Sequence, residues 1–262
     1  MTTQSLSKGA WVLVCGLALA ITGFARAEDN AKRLDIGGLD RAGGTIKGTV
    51  KFKGVQKKRR PIPMAADPYC AKYHAKKPGL TENYVFGKND TLQNVFVEVT
   101  KGLEGKDFPV PKEIHVIDQQ GCMYSPHVSG CLAGQKVEIY NNDNTLHNVK
   151  CMARKNPGFN KGMPVKGMKL DLVFQNPEVL RIQCDVHAWM NAYLHVVKNP
   201  FFAVTQDDGT FEIRGLPPGE YEISFWHEMR VFQPDHKTLT VKVGEGETKE
   251  VTVTYAPRRR KK

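Results

Sequence analysis

Short runs of alternating apolar and polar residues recur along this 262-residue chain. Examples are TIKGTVKF at residues 45–52, QNVFVEV at residues 93–99 and MNAYLHVV at residues 190–197. Clusters of Gly, Pro, Asn and Asp separate such runs, as at residues 207–209 and 217–219. Alternation with a period of two is typical of strands that bury one face, and the clusters are typical of turns. The sequence therefore predicts an all-β protein built from sandwiches, with little helix.

The N-terminus has the three parts of a secretory signal peptide. Lys8 precedes an apolar run at residues 10–25, and Ala25-Arg26-Ala27 forms a small-x-small cleavage site. We expect residues 1–27 to be removed and the protein to be periplasmic or secreted; an uncleaved membrane anchor is the alternative. No later segment is apolar enough to span a membrane. Residues 28–43 are expected to form a polar leader.

The net charge of +11 is unevenly distributed. Basic clusters occur at residues 57–60 and in the tail at residues 257–262. Such clusters usually form solvated loops and tails, which is the simpler interpretation. The alternative is electrostatic docking to an acidic partner or a membrane surface. No recognition motif for nucleic acid accompanies the charge, so a nucleic-acid partner is not expected.

Cysteine usage separates structural from functional thiols. The cysteines after the signal peptide are Cys70, Cys122, Cys131, Cys151 and Cys184. An exported protein lies where disulfides form, and an odd number leaves at least one thiol without a partner in the chain. If Cys184 binds a metal, the other four allow three pairings. We expect Cys70–Cys122 with Cys131–Cys151. Cys70 lies in a long loop that needs a tether, and Cys131 and Cys151 flank neighbouring segments of the chain.

A thiol, an imidazole and a thioether lie close together in residues 184–190 (CDVHAWM). Soft sulfur combined with imidazole suits copper in both of its oxidation states. His147 follows a turn-prone cluster at a predicted strand end, so it is placed to complete the set. We predict one mononuclear type 1 copper site formed by His147, Cys184, His187 and Met190. Zinc is a chemical alternative, whereas a haem held by Cys-x-x-Cys-His is excluded because that motif is absent.

These residues resemble the motifs of the cupredoxins, the plastocyanin and amicyanin group. The segment HNV that begins at His147 is similar to the upstream histidine segment of that family, and Cys-x-x-His-x-x-Met is similar to its short ligand loop. The resemblance covers residues 90–198 and implies a cupredoxin-like Greek-key β-sandwich. It implies equatorial ligation by His147, Cys184 and His187, axial ligation by Met190, and bracing of the ligand loop by Asn148.

Other side chains near this set are weaker candidates. His127 is either a second metal ligand or an ordinary loop histidine. Met163 and Met168 either form an auxiliary Cu(I) site or pack over the domain, as methionines commonly do. Trp189 departs from the family, which often has a small residue or Pro at that place. We expect Trp189 either to shield the metal or to displace Met190.

A second resemblance concerns the C-terminal part, where TQDDGTF and GLPPGEY are similar to segments of the carboxypeptidase regulatory-like domain. The resemblance implies a smaller antiparallel sandwich of transthyretin type over residues 199–256. Its usual opening strand fits Gly48-Thr49-Val50 better than any segment after residue 199. Residues 44–53 are therefore expected to join it, with the copper domain (residues 90–198) inserted; two sequential domains are the alternative. The rest of residues 44–89 is basic and Pro-rich, and is predicted to be mostly loop.

The donor set favours a one-electron carrier that works with a redox partner protein. If the basic clusters bind this partner, we expect its surface to be acidic. A structural, storage or sensing role for the copper is the alternative. Four protein ligands leave no open position for a substrate, so we do not expect an enzyme.

Export gives the first testable prediction. We expect the mature protein to begin at Glu28, because Ala25-Arg26-Ala27 is the only good cleavage site after the apolar run. N-terminal sequencing of protein purified from its native host checks this. Recovery of an intact Met1 would show that the segment is retained.

Overall fold

Seventeen strands, one short α helix and one 3₁₀ turn (Lys88–Asp90) are the regular elements of residues 43–258, the part of the chain described by this computed structural model. The all-β fold class predicted from the sequence is confirmed, and the strands form two β-sandwiches. The predicted signal peptide, nearly all of the leader and the last four residues of the tail lie outside the described residues. Within residues 43–258, no helix is long and apolar enough to cross a membrane.

Sandwich I contains the strands β3 to β11. They are β3 (His115–Gln119), β4 (Tyr124–Ser125), β5 (Val128–Leu132), β6 (Lys136–Asn141), β7 (His147–Cys151), β8 (Phe159–Met163), β9 (Lys169–Val173), β10 (Glu178–Gln183) and β11 (Asn191–Val197). One sheet has the order β5-β11-β10-β7-β8 and the other β4-β3-β6-β9. Alternation decides the inward face: in β10, Leu180 and Ile182 are buried while Val179 and Arg181 are exposed.

Sandwich II contains the remaining strands. They are β1 (Gly44–Phe52), β2 (Phe96–Lys101), β12 (Phe202–Val204), β13 (Thr210–Leu216), β14 (Gly219–Trp226), β15 (Phe232–Pro234), β16 (Thr238–Val243) and β17 (Thr248–Pro257). Its sheets have the orders β13-β1-β17-β15 and β12-β2-β14-β16. The pair β1–β17 is parallel, and the other described pairs of this sandwich are antiparallel.

The strand pairing corrects two expectations about where elements lie. The copper domain was expected to start at residue 90, but β2 pairs with β12 and β14 of sandwich II. Sandwich I therefore starts at β3, and both β1 and β2 precede it in the chain. The second concerns residues 152–168, whose two prolines and three glycines predict a loop from the sequence, yet β8 lies within them and pairs with β7. The backbone bonds to β7 override the weak local propensity of FNKGM.

Residues 61–80 form a closed loop, which we call the cap segment. Its base is closed by a bridge between Pro61 and Leu80, supported by the Arg59 side chain, which donates to the Leu80 carbonyl at 3.0 Å. Its tip is the helix α1 (Pro68–Tyr73), which starts as expected for Asp-Pro: Asp67 is the N-cap and Pro68 opens the first turn.

The disulfide prediction is half right. Cys70 of α1 is bonded to Cys122, which confirms that pairing and ties the cap segment to sandwich I. The pairing Cys131–Cys151 is wrong, because both thiols are free and buried. Cys131 is in β5 and Cys151 is in β7, with β11 and β10 between them. Three strand spacings amount to about 14 Å, far beyond the reach of a disulfide.

His127 connects three parts of the described chain. Its Nε2 lies 2.5 Å from Glu228, which follows β14 of sandwich II, and its Nδ1 lies 3.6 Å from Glu82, which follows the cap segment. Burial alone would lower the pKa of His127, but the hydrogen bond to Glu228 and the charges of both glutamates raise it overall. The phenol of Tyr193 and the imidazole of His227 are the other titratable groups near Glu228.

This arrangement predicts a pH-dependent contribution to stability. A histidine with a raised pKa stabilises the fold fully below its unfolded pKa of about 6.5 and loses that contribution as pH rises through the folded value. We expect His127→Gln to lower the unfolding free energy by about 3 kcal/mol at pH 6, because it breaks a buried charged pair. Urea unfolding should show this difference from wild type shrinking toward pH 9. A difference that is constant with pH would contradict the assignment.

Candidate metal centre

Two neighbouring strands of sandwich I bring the predicted ligands to the same end of one sheet. His147 opens β7, and Cys184 directly follows β10, which pairs with β7 through Gln183 and Lys150. His187 lies in the loop between β10 and β11. The loop is tightened by two backbone bonds, from Met190 N–H to the His187 carbonyl (2.9 Å) and from Cys184 N–H to the Met190 carbonyl (3.1 Å).

Three donor atoms converge in the interior. The Nδ1 atoms of His147 and His187 are 3.0 Å apart, and Cys184 Sγ is 3.8 Å from His187 Nδ1. All three ligand atoms lie within 4.8 Å of one another, and the residues are 0%, 3% and 2% exposed in the order His147, Cys184, His187. Met190, the fourth predicted ligand, is also buried and packs in the core of sandwich I at the end of the same loop.

A carboxylate lies within hydrogen-bond distance of Nε2 in each histidine, on the side of the ring away from the converging Nδ1 atoms. His147 Nε2 lies 2.9 Å from Asp143 Oδ2, and His187 Nε2 lies 3.0 Å from Asp67 Oδ2. A carboxylate only accepts hydrogen bonds, so in each ring Nε2 carries the proton and donates it. When an imidazole held in this way is neutral, its lone pair is at Nδ1, on the side where the donors converge. Carboxylate–histidine pairs of this kind orient imidazoles for metal binding.

Sequence reasoning missed both carboxylates. Asp143 had a local signal, because it lies four residues before His147 in the turn-prone cluster. It is fully buried and accepts hydrogen bonds from the N–H groups of Gly121 and Cys122, both at 2.7 Å. Burial raises the pKa of Asp143, but the hydrogen bonds from His147 and these amides lower it overall. Asp67 had only the signature of a helix start, which says nothing of its contact with His187.

The surroundings of Cys184 lower the pKa of its thiol and so favour the thiolate form. Burial opposes ionisation, but hydrogen bonds from His147, from His187 and from the backbone N–H of Asn148 together lower the pKa of Cys184 to about 6. Burial likewise opposes the charged form of His147, but its bonds to Asp143 and Cys184 raise the pKa of His147 to about 9. The buried donor set therefore favours a thiolate beside an imidazolium, which is the form that releases a proton when a metal binds.

Two neighbouring side chains stabilise the ligand loop. Asn148 Oδ1 accepts a hydrogen bond from the N–H of Asp185 at 2.5 Å, which fixes the residue after Cys184. Trp189 Nε1 donates to the Cys122 carbonyl at 3.0 Å, and its ring centroid lies 5.1 Å from that of His187. Trp189 therefore fastens the loop to the disulfide and covers one side of His187.

The weaker candidates lie elsewhere. His127 is engaged by glutamates at the contact between the sandwiches, and its ring nitrogens face Glu82, Glu228 and a backbone carbonyl. Met163 is buried, with its sulfur accepting from the Gln119 amide at 3.2 Å, and Met168 packs against the same core. These contacts agree with packing roles.

Comparisons with known proteins find partial likenesses. No family model matches this chain, and no curated protein matches it at a significant level. Among solved structures, it is similar to a Cu-containing nitrite reductase from Thermus scotoductus SA-01 (19% identity, TM-score 0.31), over 39% of this chain and 25% of that one. It is also similar to a purple cupredoxin from Nitrosopumilus maritimus (21% identity, TM-score 0.28; 32% of this chain, 99% of that one). A variant of amicyanin gives 18% identity and a TM-score of 0.31, over 38% of this chain and 98% of that one.

The pKa of Cys184 is directly testable in the metal-free mature protein. Burial raises the pKa of Cys131 to about 12 and that of Cys151 to about 11, so neither thiol ionises near neutral pH. We expect thiolate absorbance at about 240 nm to appear as pH rises. It should have one midpoint, near the Cys184 pKa of about 6. Cys184→Ser should remove the transition, and His147→Gln should move it up toward the ordinary cysteine pKa of about 8.5. A midpoint above 8 in wild type would contradict the charge arrangement described here.

Proposed function

We propose that this protein binds one copper ion through His147, Cys184, His187 and Met190 and acts as an exported one-electron carrier. The convergence of two histidine Nδ1 atoms and the thiol of Cys184, whose pKa is lowered, in a buried pocket carries the proposal. Two imidazoles and a thiolate with a nearby thioether form the donor set of blue-copper centres. Bound copper would supply a one-electron couple, and the chain's part is to hold the donors in place for both oxidation states.

Copper fits this donor set better than zinc. Structural zinc sites are usually closed by four cysteine or histidine ligands, and catalytic zinc sites keep an open position for water. Here the fourth candidate donor is a thioether, which suits copper. The three other donors are almost fully buried, which leaves little room for water.

Burial also favours a carrier over an enzyme. His187 is 2% exposed, its Nε2 is occupied by Asp67, and Cys70 Sγ of the disulfide lies 3.5 Å from the same nitrogen. A substrate would have to displace the cap segment to reach the donors, whereas an electron can pass through packed protein.

The setting of the centre suggests where it works and with what. A disulfide such as Cys70–Cys122 is typical of proteins in oxidising compartments, which supports a periplasmic or secreted location. The net charge of +11 supports a redox partner protein with an acidic surface rather than a nucleic acid.

A storage, sensing or structural role is the second candidate. The observation that favours it is that the cap segment covers His187. An electron carrier works best when a ligand edge is exposed to its redox partner, and covering that edge lengthens the path for electrons. Cyclic voltammetry on the copper-loaded protein separates the two roles. A reversible one-electron wave favours the carrier, and a protein that holds only Cu(I) without such a wave favours storage.

An optical spectrum tests the copper site itself. We expect the Cu(II)-loaded protein to absorb intensely at about 600 nm through a copper–thiolate bond. Cys184→Ser should abolish this band, because it removes the thiolate. Cys151→Ser, which removes another buried thiol of sandwich I, should keep it, and so should His127→Ala at a pH where that variant is folded. A band that survives Cys184→Ser would refute the site.

A further inference from the structure

The two oxygens of Asp67 have different partners. Oδ1 accepts hydrogen bonds from the N–H groups of Tyr69 (2.8 Å) and Cys70 (3.1 Å), and so caps helix α1. Oδ2 accepts from His187 Nε2 (3.0 Å) and from the Thr145 hydroxyl (2.9 Å). One carboxylate therefore joins the start of α1 to a proposed copper ligand that lies 120 residues away in the sequence.

The cap segment holds this carboxylate in position from both ends. At its base, Ile62 N–H donates to the Gly79 carbonyl at 2.8 Å, beside the bridge between Pro61 and Leu80. At its tip, the disulfide to Cys122 follows Asp67 by three residues. A side chain fixed in this way has little freedom to turn its oxygens away from His187.

We propose that Asp67 is a positioning residue that sets the tautomer of His187, with the proton on Nε2 and the lone pair on Nδ1. The proposal rests on the proposed copper site, because only the Nδ1 lone pair faces His147 and Cys184. Asp67 touches neither of those two donors by any described hydrogen bond; it acts through His187 alone.

The two roles of Asp67 respond differently to substitution. In Asp67→Asn, the amide oxygen still caps α1, since Asn is as good an N-cap as Asp. Its NH₂ group then points at His187 Nε2 in place of Oδ2, and it donates where the carboxylate accepted. This moves the imidazole proton to Nδ1 and removes the lone pair that faces the donor set. The Thr145 hydroxyl can rotate to accept from the same NH₂ group.

Asp67→Ala has the opposite balance. It removes the cap, which lowers the temperature of thermal unfolding, but it leaves His187 Nε2 free to bond water and the ring free to take either tautomer. Both substitutions remove the same negative charge. A difference between them therefore reports the direction of the hydrogen bond rather than the loss of charge.

The experiment compares wild type, Asp67→Asn and Asp67→Ala, with Asp208→Asn as a control. Asp208 caps a turn of sandwich II in a similar way, through bonds to Thr210. The tautomer of His187 is read in the metal-free proteins by long-range ¹H–¹⁵N correlation spectra. Copper affinity is measured by competition with a chelator, and stability by thermal unfolding.

The positioning role predicts opposite orders for affinity and stability. Asp67→Asn should show the Nδ1–H tautomer and bind copper least well, about 10- to 100-fold more weakly than wild type, while its stability stays close to wild type. Asp67→Ala should be less stable than Asp67→Asn and bind copper more tightly than it does. Asp208→Asn should match wild type in tautomer and affinity.

A merely structural role predicts the same order in both measurements, with Asp67→Ala worst and Asp67→Asn near wild type. That result, or an unchanged Nε2–H tautomer in Asp67→Asn, would overturn the proposal. The two hypotheses fail separately. If wild type binds no copper, the proposed function is wrong, and the tautomer spectra alone then support or refute the positioning role.

Discussion

The Cys70–Cys122 disulfide connects the supports of both histidines in the candidate metal centre. On one side, Cys70 belongs to the helix that Asp67 caps, and Asp67 accepts a hydrogen bond from His187 Nε2. On the other side, the N–H of Cys122 donates to Asp143, which holds His147. Cross-linking these two segments limits their relative motion, so both imidazoles keep their Nδ1 atoms directed at the same point. The geometry of the centre thus depends on a bond that contributes no ligand.

Sandwich II supports sandwich I by connectivity as well as by contact. β1 and β2 precede sandwich I in the chain and β12 follows it, and all three pair within sandwich II. Both ends of the inserted domain are therefore anchored in one neighbour, where Phe96, Val128 and Val197 share a small buried cluster. His127 adds a charged contact there, and its Nδ1 faces the carbonyl of Asn191, the residue after Met190. Movement of the two sandwiches against each other would therefore displace the end of the ligand loop.

The sequence predicted features that depend on neighbouring residues and missed contacts that depend on how distant segments and strands are arranged. Cys184, His187 and Met190 lie in one loop, so their spacing alone brings them together, and the all-β class follows from alternation. The contact of Asp67 with His187 spans 120 residues and depends on how the cap segment folds back, which no periodicity encodes. The pairing of Cys131 with Cys151 failed for a related reason, because nearness in sequence did not reveal the two strands between them. Strand β8 was hidden by glycine and proline, whose turn preference the pairing with β7 overrides.

The same carboxylates bear on which copper state the proposed centre would favour. Once copper displaced the proton shared by the donors, both imidazoles would be neutral, and the Cys184 thiolate, Asp143 and Asp67 would place three negative charges around them. Hydrogen bonds hold the pKa of Asp67 down at about 2 although burial opposes this. Charges at low dielectric interact strongly, so the surplus of negative charge would stabilise the doubly charged copper ion more than the singly charged one. The thioether of Met190 and the burial of the donors act in the other direction, because soft and dry surroundings favour the lower charge. In the proposed copper centre, this balance would set the reduction potential, and the carboxylates are the part of it that a plain His₂Cys motif does not contain.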